Sequence, residues 1–120
     1  MDFLQQLNVF QINLMHVLVI GPLLIYIGQK GKKNNEAIYY SILTMILLMP
    51  FMVELPSLQF KRKKDYINSI HLIIFTWIGY YIYKKKNQLS EISFELMKYF
   101  GIATVSIHLY LAYEKYQKYF

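Results

Sequence analysis

The chain has no cysteine, only three prolines and five glycines, and only seven acidic residues. Without cysteine it has no disulfides, thiolate nucleophiles or sulfur-rich metal sites, and thiol usage says nothing about compartment. The few acids form no paired-carboxylate arrangement. HExxH, a nucleophile elbow and a phosphate-binding glycine loop are also missing, so no complete catalytic constellation is present. Charge of either sign is missing from four long runs: Phe3–Gln29, Ala37–Val53, Tyr66–Tyr83 and Tyr99–Tyr113. A soluble four-helix bundle needs a charged face on each helix. These helices have none. The runs approach the roughly 20 apolar residues that cross a bilayer core, and the last does so if Phe94–Lys98 joins it. Glu95 and Lys98 then reach toward the headgroups.

What is present is apolar, aromatic and basic. Of 120 residues, 56% are hydrophobic and 18% aromatic, with 13 Lys and Arg giving net charge +6. Length allows one domain at most. The mean hydropathy of +0.27 is modest for a multi-span protein, because the connections are short and lysine-rich. The basic residues Lys30, Lys32, Lys33, then Lys61, Arg62, Lys63, Lys64, then Lys84, Lys85, Lys86 stand at helix ends, where phosphate headgroups meet them. With no soluble domain to carry them, they make no nucleic-acid surface. The start, Met-Asp, has no basic n-region or small-residue cleavage site, and reads as a retained first span.

The chain repeats itself. Shifted by 55 positions, Ile12–His16 (INLMH) falls on Ile67–His71 (INSIH). Tyr26, Ile27, Lys30 and Glu36 fall on Tyr81, Ile82, Lys85 and Glu91. The unit is an apolar helix, a lysine-rich turn and a second apolar helix, used twice over about 9–54 and 64–113. The expected fold is all-α: an integral membrane four-helix bundle of two tandem transmembrane hairpins, seamed by LPSLQFKRKKD with Pro56 as helix stop.

Within the spans, polar and small residues mark expected packing faces. These are Gln5, Gln6, Asn8, Asn13 and His16 in the first, and Ala37, Ser41, Thr44, Met45, Leu48 and Met52 in the second. The third offers Asn68, His71, Phe75, Thr76 and Gly79; the fourth, Gly101, Thr104, His108 and Ala112. Gly21-Pro22 should bend the first helix, and Ser90 should cap the last. Tyrosines crowd the span ends as interfacial belts do. Six basic residues flank each membrane side, or seven on one with Lys98, so the positive-inside rule sets no orientation.

The candidate site is a histidine level. At about 1.5 Å per residue, His16, His71 and His108 sit roughly 7–11 Å below one surface, and Glu54 closes the second helix on that side. Imidazoles on facing helices can hold haem iron or a transition metal, with Glu54 as an extra ligand. They can also relay protons. Alternatively each imidazole hydrogen-bonds across helices, to Asn13, Asn68, Ser41 or Thr104. TWIGYY at Thr76–Tyr81 is no potassium filter, because it lies inside a continuous span and lacks the closing glycine.

HVLVIGPLLIYIG at His16–Gly28 and SIHLYLAY at Ser106–Tyr113 resemble small, uncharacterised multi-span membrane proteins of large AT-rich DNA viruses. In those, a histidine precedes a G/A-P-L-L-x-Y segment, and another histidine stands in the second helix of the hairpin. Here the second histidine is present only as His108; Val53 takes its place in the first repeat, and Trp77 stands where the third span should have its proline. The resemblance covers about half the chain. It implies a virion or viral-factory membrane protein and supplies no catalytic residues. The expected function is structural or assembly work in a membrane, with the lipid bilayer, a second copy or other membrane proteins as partners. The competing readings are a haem- or metal-binding redox protein and a viroporin-like channel.

Overall fold

A computed structural model describes residues 3–52, 59 and 61–119. Among the described residues the secondary structure is helical throughout, with no strand. Helix α1 (Phe3–Met15) passes through a π-helical turn (His16–Ile20) into α2 (Gly21–Lys30). Short 3-10 turns at Gly31–Lys33 and Glu36–Ile38 lead to α3 (Tyr39–Met52). Helix α4 (Lys63–Ser69) passes through a second π-helical segment (Ile70–Phe75) into α5 (Thr76–Lys85). A 3-10 turn at Lys86–Gln88 precedes α6 (Glu91–Tyr119).

The expected bend at Gly21-Pro22 takes the form of this π turn. Proline lacks the N–H that an α-helix needs and crowds the carbonyl one turn back. The amide of Gly21 bonds instead to the His16 carbonyl, five residues earlier. Proline is not required for the break, because Trp77 stands at the matching place after the second one. Both breaks share a histidine. His16 Nδ1 lies 2.8 Å from the Ile12 carbonyl, and His71 Nδ1 lies 2.8 Å from the Ile67 carbonyl. A side chain bonded to the carbonyl four residues back competes with the helix ladder and opens it locally.

The helices fall into two compact units. The first comprises the described parts of Met1–Lys32 and Ser90–Phe120, so α1 and α2 lie against α6. They run antiparallel, with Phe10 near Tyr116 at one end and Gly28 against Phe94 and Lys98 at the other. The approach is close enough to need glycine. A Cβ on Gly28 would lie 2.5 Å from the Phe94 carbonyl oxygen, and one on Gly101 would lie 2.8 Å from that of Gly21. The second unit, Lys33–Leu89, sets α3 against α5. Ile46 and Ile42 fill the notch over Gly79, and the Thr76 hydroxyl reaches Met49 Sδ at 3.5 Å.

The pairing within the units is not that of the expected tandem hairpins: α1 and α2 pack with α6, and α3 packs with α5. Backbone-to-backbone approach explains it. Gly21 and Gly28 form a flat strip on α2, and its complement, Gly101, lies on α6, whereas α3 contains no glycine. The face expected for the second span is likewise corrected: Ala37, Thr44 and Leu48 are exposed, and Tyr39 and Ile42 are buried. Thr44 needs no partner helix because its hydroxyl donates to the Tyr40 carbonyl at 2.8 Å. The fourth-span face is as expected, with Gly101, Thr104 and Ala112 buried and His108 half-buried. Ser90 accepts from the Ser93 amide at 3.2 Å and so caps α6. In the expected seam Leu55–Asp65, residues 55–58, with Pro56, and residue 60 lie outside the described residues, as do the side chains of Gln5, Gln6, Asn8 and Met52.

Candidate functional site

Two of the three histidines meet. His16, at the first π turn, and His108, on α6, stack face to face with ring centroids 3.9 Å apart and planes 17° apart. Buried Asn13 sits one turn before His16, and its Oδ1 lies 2.7 Å from His108 Nδ1. Each Nδ1 faces a carbonyl oxygen, which can only accept. Both rings therefore donate from Nδ1. The cluster is assembled locally by sequence: INLMH places Asn13 and His16 one turn apart, and SIH places His108 on the buried stripe of α6.

Histidine 71 belongs to the second unit. Its Nδ1 is bonded to its own helix, and its ring stands edge-on to Phe75 with centroids 5.0 Å apart. Glu54 and Val53 lie outside the described residues. Among the described residues, no three of His, Cys, Asp or Glu gather as a metal site. The histidine pair also has the wrong attitude for a shared metal. Two imidazoles on one ion aim their lone pairs at a common point about 2.0–2.1 Å from each nitrogen. Rings stacked 3.9 Å apart and within 17° of parallel cannot both hold one ion in their ring planes at that distance. The donors present therefore do not fit a haem or metal in this arrangement, and the pair acts as an interhelical hydrogen-bonding and stacking contact.

Two further polar features were not legible as sites. Tyr39, fully buried, donates from its hydroxyl to Asn87 Oδ1 at 2.7 Å, and Asn87 Nδ2 donates to the Asn34 carbonyl at 2.9 Å. This ties the start of α3 to the turn after α5. Asp65 is fully buried, and its carboxylate accepts from the Arg62 amide at 3.2 Å and from the guanidinium at 3.0 and 3.3 Å. Of the basic residues expected to meet headgroups, Arg62 is thus paired within the protein. Three of the others stand over tyrosine rings, Lys30 over Tyr26, Lys84 over Tyr80 and Lys86 over both Tyr40 and Tyr83, and Lys98 stands over Tyr99 in the same way.

Among the described residues one helical stretch, Val9–Lys33, is long and apolar enough to cross a membrane by length and composition, with 22% of its apolar window buried. Glu36–Phe51 is apolar but shorter. No family model, curated protein or solved structure matches the chain.

Proposed function

We propose that this is an integral membrane protein that crosses the bilayer four times and serves a structural or assembly role there. The observation that carries the reading is the exposure of large apolar side chains on every long helix. Leu18 is 70% exposed, Phe51 88%, Trp77 74% and Ile92 72%. Leaving such a side chain in water forfeits roughly 1.5–3 kcal/mol each. Exposed apolar side chains in this number fit a lipid- or protein-covered face. Lysine ammoniums over tyrosine rings at the turn ends suit the interface between hydrocarbon and headgroups.

The duplication belongs to the same proposal. Breaks, caps and buried positions recur at the 55-residue offset: Ile27 with Ile82, Tyr39 with Phe94, and Ile42 with Met97 are all buried. Each unit then joins the first helix of one repeat to the second helix of the other. The assignment to a viral membrane adds to this only the resemblance of His16–Gly28 and Ser106–Tyr113.

Alkaline carbonate extraction of expressed full-length protein tests the reading, with ion flux from reconstituted liposomes beside it. Retention in the pellet without flux is expected. Release into the supernatant would overturn the membrane reading, and flux would favour the channel.

A further inference from the structure

Lys86 has a positive φ, alone among the described non-glycine residues. Its backbone angles, φ 48° and ψ −127°, match those of Gly31, φ 58° and ψ −130°. The two residues perform the same task 55 positions apart. Each closes a ten-residue helix, and each amide bonds to the carbonyl four residues back, Ile27 for Gly31 and Ile82 for Lys86. Only glycine takes this conformation without a steric penalty, because a Cβ crowds the neighbouring peptide. The first turn uses glycine. The second holds lysine under strain.

Asn87 beside it, bonded to Tyr39 and Asn34, holds the turn in this conformation, and strain of this kind gathers at ligand-binding positions; the lysine side chain is what the glycine turn lacks. It is not needed to neutralise the end of α5, since Lys84 and Lys85 already occupy the last turn. Both of those are exposed, whereas Lys86 is half-buried. Its ammonium stands 4.9 Å from the Tyr83 ring centroid and 5.9 Å from that of Tyr40, and the two rings meet edge-on at 5.8 Å. A tyrosine cleft fixes the direction of the cation without neutralising it, because a ring face attracts a cation but carries no charge. Within this unit the same turns carry Lys33, Lys84 and Lys85 against Glu36. The local charge is therefore positive and complementary to phosphate.

We propose that Lys86 is a binding residue for the phosphate of an anionic phospholipid, its ammonium aimed by Tyr40 and Tyr83. The assignment rests on the membrane reading above. It differs from general attraction of lysines to headgroups in naming one residue whose conformation is unfavourable without its ligand.

The test compares the full-length wild type with Lys86→Gly and Lys85→Ala in nanodiscs of phosphatidylcholine, with and without phosphatidylglycerol. In phosphatidylcholine alone, Lys86→Gly relieves the strain and should melt higher than wild type, by about 4–8 °C. Phosphatidylglycerol should raise the melting temperature of wild type and of Lys85→Ala, and raise that of Lys86→Gly distinctly less. Lys85→Ala removes the same charge, so general electrostatics cancel in the comparison. Equal responses of all three proteins to phosphatidylglycerol would overturn the proposal. So would a lower melting point of Lys86→Gly in phosphatidylcholine, which would make the lysine a structural cap. Inorganic phosphate added to phosphatidylcholine discs should leave wild type unshifted, and a shift matching that of phosphatidylglycerol would overturn the lipid assignment. Protein that fails to enter either disc fails the membrane reading instead, a separate outcome.

Discussion

Asn13 and His108 illustrate how an apolar helix pair obtains specificity from very few atoms. Their bond joins α1 to α6 across 95 residues of sequence at 2.7 Å. His108→Ala leaves the buried Asn13 carbonyl without this donor, a loss expected to cost about 1–3 kcal/mol. Combined with Asn13→Ala, the second change should cost less. Under the proposed membrane reading, the coupling in a double-mutant cycle should fall near 0.6 kcal/mol and stay below about 1.7 kcal/mol, the range of interhelical bonds in membrane proteins. Reversible unfolding in bicelles measures both quantities. His71→Ala should cost less than His108→Ala, because the His71 Nδ1 bond stays within its own helix. The stacked attitude of His16 and His108 also predicts purified protein without a Soret band or stoichiometric metal, checked by absorption and elemental analysis. A Soret band lost on His108→Ala would show that the rings separate to take a ligand.

Between helices, the smallest residues decide which elements meet. Gly28→Leu should destabilise the first unit by about 1–3 kcal/mol, since a side chain there must displace the α6 backbone itself. Thr44→Leu, on an exposed position already bonded within its helix, should change stability by less than about 0.5 kcal/mol. Equal effects of the two would contradict the pairing. This contrast also separates what the sequence made legible from what it did not. Helical content, the Ser90 cap, the break near Gly21-Pro22 and the inward stripe of α6 follow from local chemistry, and all were readable. The partner of each helix was not. Short turns suggested neighbours in sequence, while the contact is set by glycines at Gly28 and Gly101, far apart along the chain. Ser and Thr were misleading on α3 for the same reason that they are common in apolar helices: their hydroxyls can bond their own backbone. The histidine level was legible as a depth, but the meeting of two rings depends on helix rotation, which spacing alone does not fix.

At the scale of the whole molecule, connectivity constrains topology more tightly than hydropathy does. The chain leaves the first unit after Lys32, completes the second by Leu89, and returns to the first at Ser90. In each unit the paired helices run antiparallel, so a unit whose two arms both cross a bilayer returns to the side it left. Under the four-span proposal, the turns at Gly31–Lys33 and Lys86–Gln88 lie on one face, and the basic segment before α4 lies on the other. The absence of native cysteine makes this directly measurable, because any introduced thiol is the only one. Single cysteines at Lys32, Lys63 and Lys86, probed with a membrane-impermeant maleimide in sealed vesicles, should label in two classes. Lys32→Cys and Lys86→Cys should react from one side and Lys63→Cys from the other. If only Val9–Lys33 crosses, the protein is single-pass. All sites after that span then lie on one side, so Lys63→Cys and Lys86→Cys would react together. Labelling of Lys32→Cys and Lys63→Cys from the same side would likewise exclude the four-span arrangement, whatever the retention in carbonate. Oxidative cross-linking of a paired Asn13→Cys, His108→Cys variant adds the tertiary half of the experiment. A cross-link within one chain requires the first and last helices to pair, as the glycine contacts dictate, and tandem hairpins would leave those two thiols apart.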